Sequence, residues 1–217
     1  MKERGVRTPE DKRQTKTLII LSVLVVVCLL VFNLVLFIQM ATGTGGLGRA
    51  VDFSKGDVNV FDSFGGTDLE GNTVNSEVLK KSKITVLNIW ATNCHWCVAE
   101  MPEMADLIKE YDPADIQLIG LCAGTIVDRY NSMPESAQSI ISSEARDLAM
   151  NNRGDEFLQI LPSEKFEKDI INSAACAFPT TLVINSEGMV IGIHSGANDY
   201  DHWKTIFDSY VRGNNNE

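Results

Sequence analysis

The chain has 217 residues, of which 44% are hydrophobic and 22% are charged, a composition typical of a globular protein and unlike that of a disordered one. The formal net charge of −10 argues against nucleic-acid binding, because phosphate recognition needs a surplus of basic side chains. Five cysteines are too few for a disulfide-built scaffold, but they suffice for one reactive pair.

The first 40 residues differ from the rest in their charge. Residues 1–16 carry a net charge of +3, residues 17–40 contain no charged side chain, and residues 41–217 carry −13. As a helix, the uncharged segment would extend about 36 Å, whereas the hydrocarbon core of a bilayer is about 30 Å thick. Basic flanks prefer the cytoplasmic side. We therefore expect a cytoplasmic N-terminus, a transmembrane anchor at 17–40 that crosses the cytoplasmic membrane once, and an extracytoplasmic remainder.

A cleaved signal peptide is the less favoured interpretation of this apolar segment. The segment is longer than the core of a signal peptide, which has about 7–15 residues, and Gln39-Met40-Ala41 is a poor cleavage site. An acylated lipoprotein cysteine is excluded because Cys28 lies in the middle of the span, behind three valines. We expect Cys28 to be an inert apolar residue.

The chain after the anchor begins with short elements. A linker at 41–59 contains the glycine-rich stretch TGTGGLG. A strand at 60–64 and a turn at 70–72 predict an N-terminal β-hairpin, which a short helical turn capped by Ser76 follows. Residues 84–90, ITVLNIW, are β-branched and continuously apolar, as is typical of a central buried strand.

The remaining pattern predicts one α/β domain at 60–213 and a tail at 214–217. Helical periodicity and capping residues indicate helices at 97–110, at 135–150 within a less regular insert (125–162), after Ser163, and at 201–211 before a stop at Gly213. Apolar runs indicate a second buried strand at 116–122 and a hairpin formed by 180–185 and 189–194. The order of these elements is typical of a mixed sheet with helices on both faces.

Cys94 and Cys97 form a C-x-x-C pair where the buried strand 84–90 gives way to a helix. Two thiols at this spacing can close a small disulfide, and the helix N-terminus favours a thiolate on the first cysteine. His95 would add a positive charge when protonated. Three other interpretations of the pair are less favoured. A zinc site would need a second pair of ligands, and a c-type haem site would need histidine where Val98 stands. A purely structural disulfide that closes so short a loop would stabilise the fold little. Redox chemistry is therefore favoured, without a metal or a cofactor.

The segment 90–102, WATNCHWCVAEMP, resembles the W-A-x-W-C-x-x-C-x-x-E-x-P segment of thioredoxin-fold proteins. The stretch Phe178-Pro179-Thr180-Thr181 resembles the cis-proline loop of the same fold. The resemblance extends from about Val60 to Val211, is strongest to the membrane-anchored TlpA/ResA-like branch, and includes Asn88 and the turn at 185–188. Asn93 departs from the usual tryptophan, and His95-Trp96 replaces the usual dipeptide.

This resemblance implies a thioredoxin-like fold and the activity of a thiol-disulfide oxidoreductase. Such an enzyme exchanges electrons with protein disulfides or dithiols, and a membrane electron donor would reduce it again. Cys94 would attack, Cys97 would resolve the mixed disulfide, and Pro179 would lie in cis beside the sulfur atoms. Glu100 would accept a proton from Cys97, or it is an ordinary first-turn glutamate. The implied direction is reduction, for example in cytochrome c maturation or general disulfide reduction.

Three further interpretations stay open. Cys94, Cys97, His95, Met101 and His194 could form a soft copper(I) site, although related copper carriers space their cysteines one residue further apart. A peroxidase is less favoured, because the P-x-x-x-[TS]-x-x-C pattern is absent. Cys122 and Cys176 follow elements expected at the active-site edge. They are either a second functional pair or, as we favour, two unrelated buried thiols.

Overall fold

The computed structural model describes residues 21–27, 29–31, 33–34, 58–175 and 177–214, and the chain divides into two compact units, residues 1–49 and 50–217. In the first unit, residues 21–27, 29–31 and 33–34 are helical (α1), and their large apolar side chains are exposed. No helix within the described ranges is both long enough and apolar enough to cross a membrane.

Several predicted features lie wholly or partly outside the described residues. They are the cytoplasmic segment 1–16, both ends of the expected anchor 17–40, most of the linker 41–59, the end of the tail, Cys28 and Cys176.

The described part of the second unit is built on a mixed sheet of seven strands in the order β2-β1-β5-β4-β3-β6-β7. The β3–β4 and β4–β5 pairs are parallel, and the other four pairs are antiparallel. The predicted mixed sheet is thus confirmed. The strands are β1 Gly65–Asp68, β2 Thr73–Asn75, β3 Ile84–Trp90, β4 Ile116–Cys122, β5 Leu158–Pro162, β6 Thr180–Asn185 and β7 Val190–Ser195.

Helices cover both faces of this sheet. Helices α2 and α6 pack with alternate residues of β3, Ile84 and Val86, while Leu87 and Ile89 pack on the opposite face. This alternation places Asn88, which has the same parity as Val86, on the face that α2 covers. The helices are α2 His95–Ile108, α3 Glu135–Asn151, α4 Glu164–Phe166, a π-helical stretch Glu167–Ile171, α5 Asn172–Ala174 and α6 Tyr200–Asn214, with 3₁₀ turns at Ser76–Lys81, Tyr130–Ser132 and Gly154–Glu156.

The predicted strand at 60–64 is wrong. The backbone N–H groups of Ser63 and Phe64 donate to the carbonyl oxygen of Val60 at 3.0 and 2.7 Å, so these residues form a turn that buries Val60 and Phe64 without a strand. The first strand begins at Gly65 instead, and it requires glycine at position 66. A Cβ atom there would lie 1.9 Å from the carbonyl oxygen of Leu161, so only glycine lets β1 approach β5 this closely. The hairpin itself is confirmed, between β1 and β2.

Strand β5 is missing from the sequence-based prediction, which treated 125–162 as an irregular insert with one helix. The apolar run is interrupted by Gln159, whose side chain is buried, accepts from Nε1 of Trp90 at 3.0 Å and donates to the carbonyl of Gly154 at 2.9 Å. This buried glutamine interrupts the apolar run, and one of its partners, Trp90, is 69 residues away, so the local sequence does not show the strand.

Smaller differences concern the ends of the elements. Helix α2 begins and ends two residues earlier than predicted, and α6 includes Gly213, where we expected it to stop. Asn75, not Ser76, caps the 3₁₀ turn, because its side chain accepts from the N–H of Glu77. The cap at Ser163 is confirmed by its hydrogen bond from the N–H of Phe166.

Candidate active site

The cysteine pair lies at the N-terminus of α2. Cys94 is the N-cap residue, and its Sγ atom is bonded to Sγ of Cys97 at 2.06 Å. The backbone N–H of Cys97 also donates to Sγ of Cys94 at 3.2 Å. A helix N-terminus offers unpaired N–H groups and a positive partial charge, so this position favours a thiolate on Cys94 once the disulfide is reduced.

Both sulfur atoms are largely covered. Cys94 is 4% exposed and Cys97 is fully buried, so the cysteine expected to be the more accessible one shows only a small surface. The pair packs in a cluster with Trp90 and Met101. Trp96 projects from the first turn of α2 and is 68% exposed. The disulfide therefore presents a narrow reactive surface beside an exposed aromatic ring.

The loop before β6 lies against the same cluster. The Phe178–Pro179 peptide bond is cis, as predicted, and Phe178 packs against the cluster that contains both cysteines. The N–H of Gly196 donates to the carbonyl of Pro179 at 2.9 Å. The guanidinium of Arg129 lies 4.8 Å from the centroid of the Phe178 ring and donates to the carbonyl of Ala175 at 2.6 Å. Gly196 and Arg129 thus both hold the loop in place.

Glu100 follows Cys97 by one helical turn and is buried, with only 3% of its surface exposed. Oε1 accepts from Nδ2 of Asn88 at 2.9 Å, while Oε2 accepts from the N–H of Asn198 at 3.2 Å and from Nε1 of Trp203 at 3.1 Å. Burial raises the pKa of Glu100 from 4.5 to about 7, and the three donors oppose this rise. An ordinary, solvated first-turn glutamate does not have this environment.

Two donors to Glu100 were not recognised in the sequence. They are Trp203 and the backbone N–H of Asn198, which belong to no motif of the sequence. Trp203 is 103 positions from Glu100, and nothing in the local pattern of α6 indicates where its N–H points. Asn88, noted only as part of the resemblance, also donates to Oγ1 of Thr181 at 3.1 Å and so links the carboxylate to β6.

The segment before Cys94 is tied to the loop that follows β4. Oδ1 of Asn93 accepts from the N–H of Ile126 at 2.7 Å, and the N–H of Thr92 donates to the carbonyl of Gly124 at 2.9 Å. Asn93, which stands where the thioredoxin-fold segment that the sequence resembles has tryptophan, thus connects the two loops. Ile126 is itself an exposed apolar residue.

Cys122 is fully buried at the end of β4, in the same cluster as the cysteine pair. Burial raises the pKa of its thiol to about 12, so it is protonated at neutral pH. Cys176 lies outside the described residues, and the idea of a second functional pair stays a prediction.

The proposed copper ligands are not brought together as a set. The ring of His194 hydrogen-bonds the hydroxyl of Tyr210 at 3.2 Å and contacts the Trp203 ring edge-on. Among the described residues, no three His, Cys, Asp or Glu side chains are placed to hold a metal ion.

Residues 58–193 match the AhpC/TSA family, so the chain belongs to this family. The chain is 27% identical over 161 residues to the thioredoxin-like protein YneN of Bacillus subtilis, which covers 72% of this chain and 85% of the relative. It is also 27% identical over 136 residues to the thiol-disulfide oxidoreductase ResA of Halalkalibacterium halodurans, which covers 59% and 62% of the two chains.

Solved structures share the fold at low sequence identity. A thiol:disulfide interchange protein of Chlorobium tepidum matches with a TM-score of 0.54 at 17% identity and covers 71% of this chain and 95% of its own. A putative thioredoxin of Neisseria meningitidis matches with a TM-score of 0.52 at 21% identity and covers 74% and 95%. The fold is thioredoxin-like, and the chain is a thiol-disulfide oxidoreductase that is similar to ResA.

We expect Glu100 to make stability depend on pH. Its pKa is higher in the folded chain, about 7, than in the unfolded chain, about 4.5, so the folded state binds more protons between these values. The free energy of unfolding of the oxidised protein should therefore fall as pH rises through this window, by about 3 kcal/mol in total. Urea unfolding of Glu100→Gln should lack this slope, and Glu103→Gln, an exposed neighbour on α2, should keep it. The same slope in wild type and Glu100→Gln would contradict the assignment.

Alkylation of the reduced protein should distinguish the three described thiols. Iodoacetamide should modify Cys94 roughly tenfold or more faster than Cys97, because Cys94 caps the helix and has the only accessible surface of the pair. Cys122 is the internal control and should react only after denaturation. Peptide mapping after short exposures measures the order, and equal rates at Cys94 and Cys97 would rule out a distinct attacking thiol.

Proposed function

We propose that this protein is a membrane-anchored, extracytoplasmic oxidoreductase that reduces disulfides in partner proteins with its Cys94–Cys97 pair. The observation that carries the proposal is the disulfide at the N-terminus of α2, with the N–H of Cys97 on Sγ of Cys94 and the Phe178–Pro179 loop packed against the same cluster. Activated thiols in this fold exchange disulfides through mixed disulfides.

In the reduced enzyme, the Cys94 thiolate attacks one sulfur of the partner's disulfide. A Cys94–partner bond forms, the partner's disulfide breaks, and its other sulfur leaves as a thiolate that takes up a proton. Cys97 then loses its proton and attacks Sγ of Cys94, which releases the second partner sulfur. Two electrons have passed to the partner, and the enzyme holds the Cys94–Cys97 disulfide.

The second step needs a base for Cys97, and we assign this role to Glu100. The carboxyl is one turn away on the same helix, and its pKa of about 7 leaves a large fraction ionised at neutral pH. A general base works best when its pKa lies near the working pH. The proton that leaves Cys97 would thus pass to a group shielded from bulk water.

Repeated reduction requires that the enzyme disulfide be reduced again. On the extracytoplasmic side, a membrane protein with a reactive dithiol is the class of donor that can supply the two electrons. The resemblance to the TlpA/ResA-like branch supports the reductive direction, in cytochrome c maturation or in general disulfide reduction. No further cofactor enters this proposal, because the cysteine pair carries the electrons.

The anchor at 17–40 is proposed from charge and hydropathy. The segment is uncharged, its flanks carry +3 and −13, and the large apolar side chains of α1 are exposed, as a lipid-facing helix requires. This arrangement would keep the cysteine pair close to a membrane donor.

A trapping experiment tests the exchange reaction and its direction. Cys97→Ser should accumulate mixed disulfides between Cys94 and partner proteins in native membranes, because the resolving thiol is gone, and Cys94→Ser should accumulate none. Acid quenching and alkylation should find wild-type enzyme mainly reduced, as a reductant must be. An absence of adducts in Cys97→Ser would remove the exchange proposal. Wild-type enzyme held mainly as the disulfide, with partners that gain disulfides, would reverse its direction.

Protease accessibility tests the orientation. A protease added to intact protoplasts should digest residues 41–217 and leave an N-terminal fragment of the size of the anchor, because the −13 side should lie outside. A tag at the N-terminus is the control and should be digested only after lysis. A catalytic domain protected until lysis, or recovered in the soluble fraction, would show that the anchor or its orientation is wrong.

A further inference from the structure

The segment between β7 and the first turn of α6 contacts both sides of the candidate site. Its Gly196 N–H donates to the carbonyl of Pro179, and farther along the segment the N–H of Asn198 and Nε1 of Trp203 donate to Oε2 of Glu100. Gly196 adopts a φ of +92°, a conformation that favours glycine and turns the chain toward the site. One short segment therefore touches the cis-proline loop and the buried carboxylate.

Packing fixes the direction of the Trp203 ring. The residue is fully buried, and its ring contacts His194 edge-on with centroids 6.3 Å apart and Phe207 with centroids 6.0 Å apart. The indole N–H is thus held toward Glu100 by neighbours that do not themselves hydrogen-bond the carboxylate. A charge-assisted hydrogen bond in a buried site favours the ionised form of its acceptor.

We propose that Trp203 is a positioning residue, which holds Oε2 of Glu100 in place, keeps the buried carboxylate able to ionise, and thereby sets the pH at which Cys97 loses its proton during exchange. This inference rests on the proposed function, in which Glu100 accepts that proton. Trp203 is fully buried and packs in a different apolar cluster from the cysteine pair, so it would act through Glu100.

The other groups around Glu100 do not replace this donor. Glu103 on the same helix opposes ionisation of Glu100 by like charge. On β7 and α6, burial lowers the pKa of His194 and raises that of Tyr210, so both are uncharged at neutral pH. The other groups that hydrogen-bond the carboxylate, directly or through Asn88, are Asn88 on β3, Thr181 on β6 and the backbone of Asn198 just before α6.

Trp203 is also the donor that substitution can remove most cleanly. The N–H of Asn198 belongs to the backbone, so a side-chain substitution does not remove it. Asn88 also donates to Thr181, so replacing Asn88 would disturb the pairing of β3 with β6. Trp203→Phe removes the N–H and keeps most of the ring. Incorporation of 3-benzothienylalanine at position 203, which has sulfur in place of the N–H, preserves the shape if the Phe variant does not fold.

The experiment compares full-length wild type, Trp203→Phe and a matched control, Ile206→Val. Ile206 is buried on the same helix and in the same apolar cluster, but its aliphatic side chain cannot hydrogen-bond Glu100 and is not one of the rings that orient Trp203. The Glu100 carboxyl is titrated by carbon-13 NMR on oxidised protein labelled at glutamate Cδ, with Glu100→Gln to assign the signal. The pH profile of insulin reduction is then recorded on the reduced proteins.

We expect the Glu100 midpoint of Trp203→Phe to rise by about one pH unit, since a hydrogen bond to an ionised group has been lost. The pH profile of insulin reduction should move in the same direction. Ile206→Val should lose stability and leave both midpoints unchanged.

An unchanged Glu100 midpoint in Trp203→Phe, or an equal shift in Ile206→Val, would overturn the inference. A shifted carboxyl with an unshifted exchange profile would also overturn it, because Trp203 would then hold Glu100 without affecting Cys97. Failure of the proposed function looks different. The wild type would then reduce no disulfide at any pH, while the Glu100 titration, which needs no substrate, would still report whether Trp203 holds the carboxylate.

Discussion

The antiparallel pairing of β3 with β6 is the contact on which the site depends. Ile89 lies opposite Thr180, so the residues that follow β3 and those that precede β6 meet at one edge of the sheet. The first set leads to Cys94, and the second contains Pro179. Because α2 then runs back over the face that carries Asn88, the same pairing also brings Glu100 to β3 and, through Asn88, to Thr181.

Glu100 shows how two opposed effects give an intermediate result. Burial alone would keep a carboxyl protonated over the whole neutral range, whereas three hydrogen-bond donors favour the carboxylate. Neither effect prevails, and the pKa lies near 7. We therefore expect the contribution of Glu100 to the stability of the domain to be larger in mild acid than at neutral pH, and such shifted pKa values are common among buried groups at functional sites.

The sequence predicts the elements whose signals are local. The apolar run of β3, the C-x-x-C pair at a helix start and the Phe178-Pro179 loop carry their information within a few residues, and the structure has the strand, the disulfide and the cis bond where they were expected. The errors arise where a distant partner decides. Val60 and Phe64 alternate like strand residues, but the N–H of Val60 donates to the carbonyl of Gly188 at 2.8 Å and the chain then turns. Strand β5 contains a glutamine whose donor, Trp90, is 69 residues away.

The residues of the site come from distant parts of the chain, and this separation has a consequence for biosynthesis. Glu100 and Trp203 are 103 residues apart, and Asn88 and Thr181 are 93 apart, so a chain that emerges N-terminus first contains both cysteines long before β6 and α6 exist. Until then Trp203, Asn198 and the Phe178–Pro179 loop are still missing. The environment that buries Glu100 and packs against the cysteine pair can therefore form only after the C-terminal part of the domain has been synthesised, so the site is completed late in the maturation of each molecule.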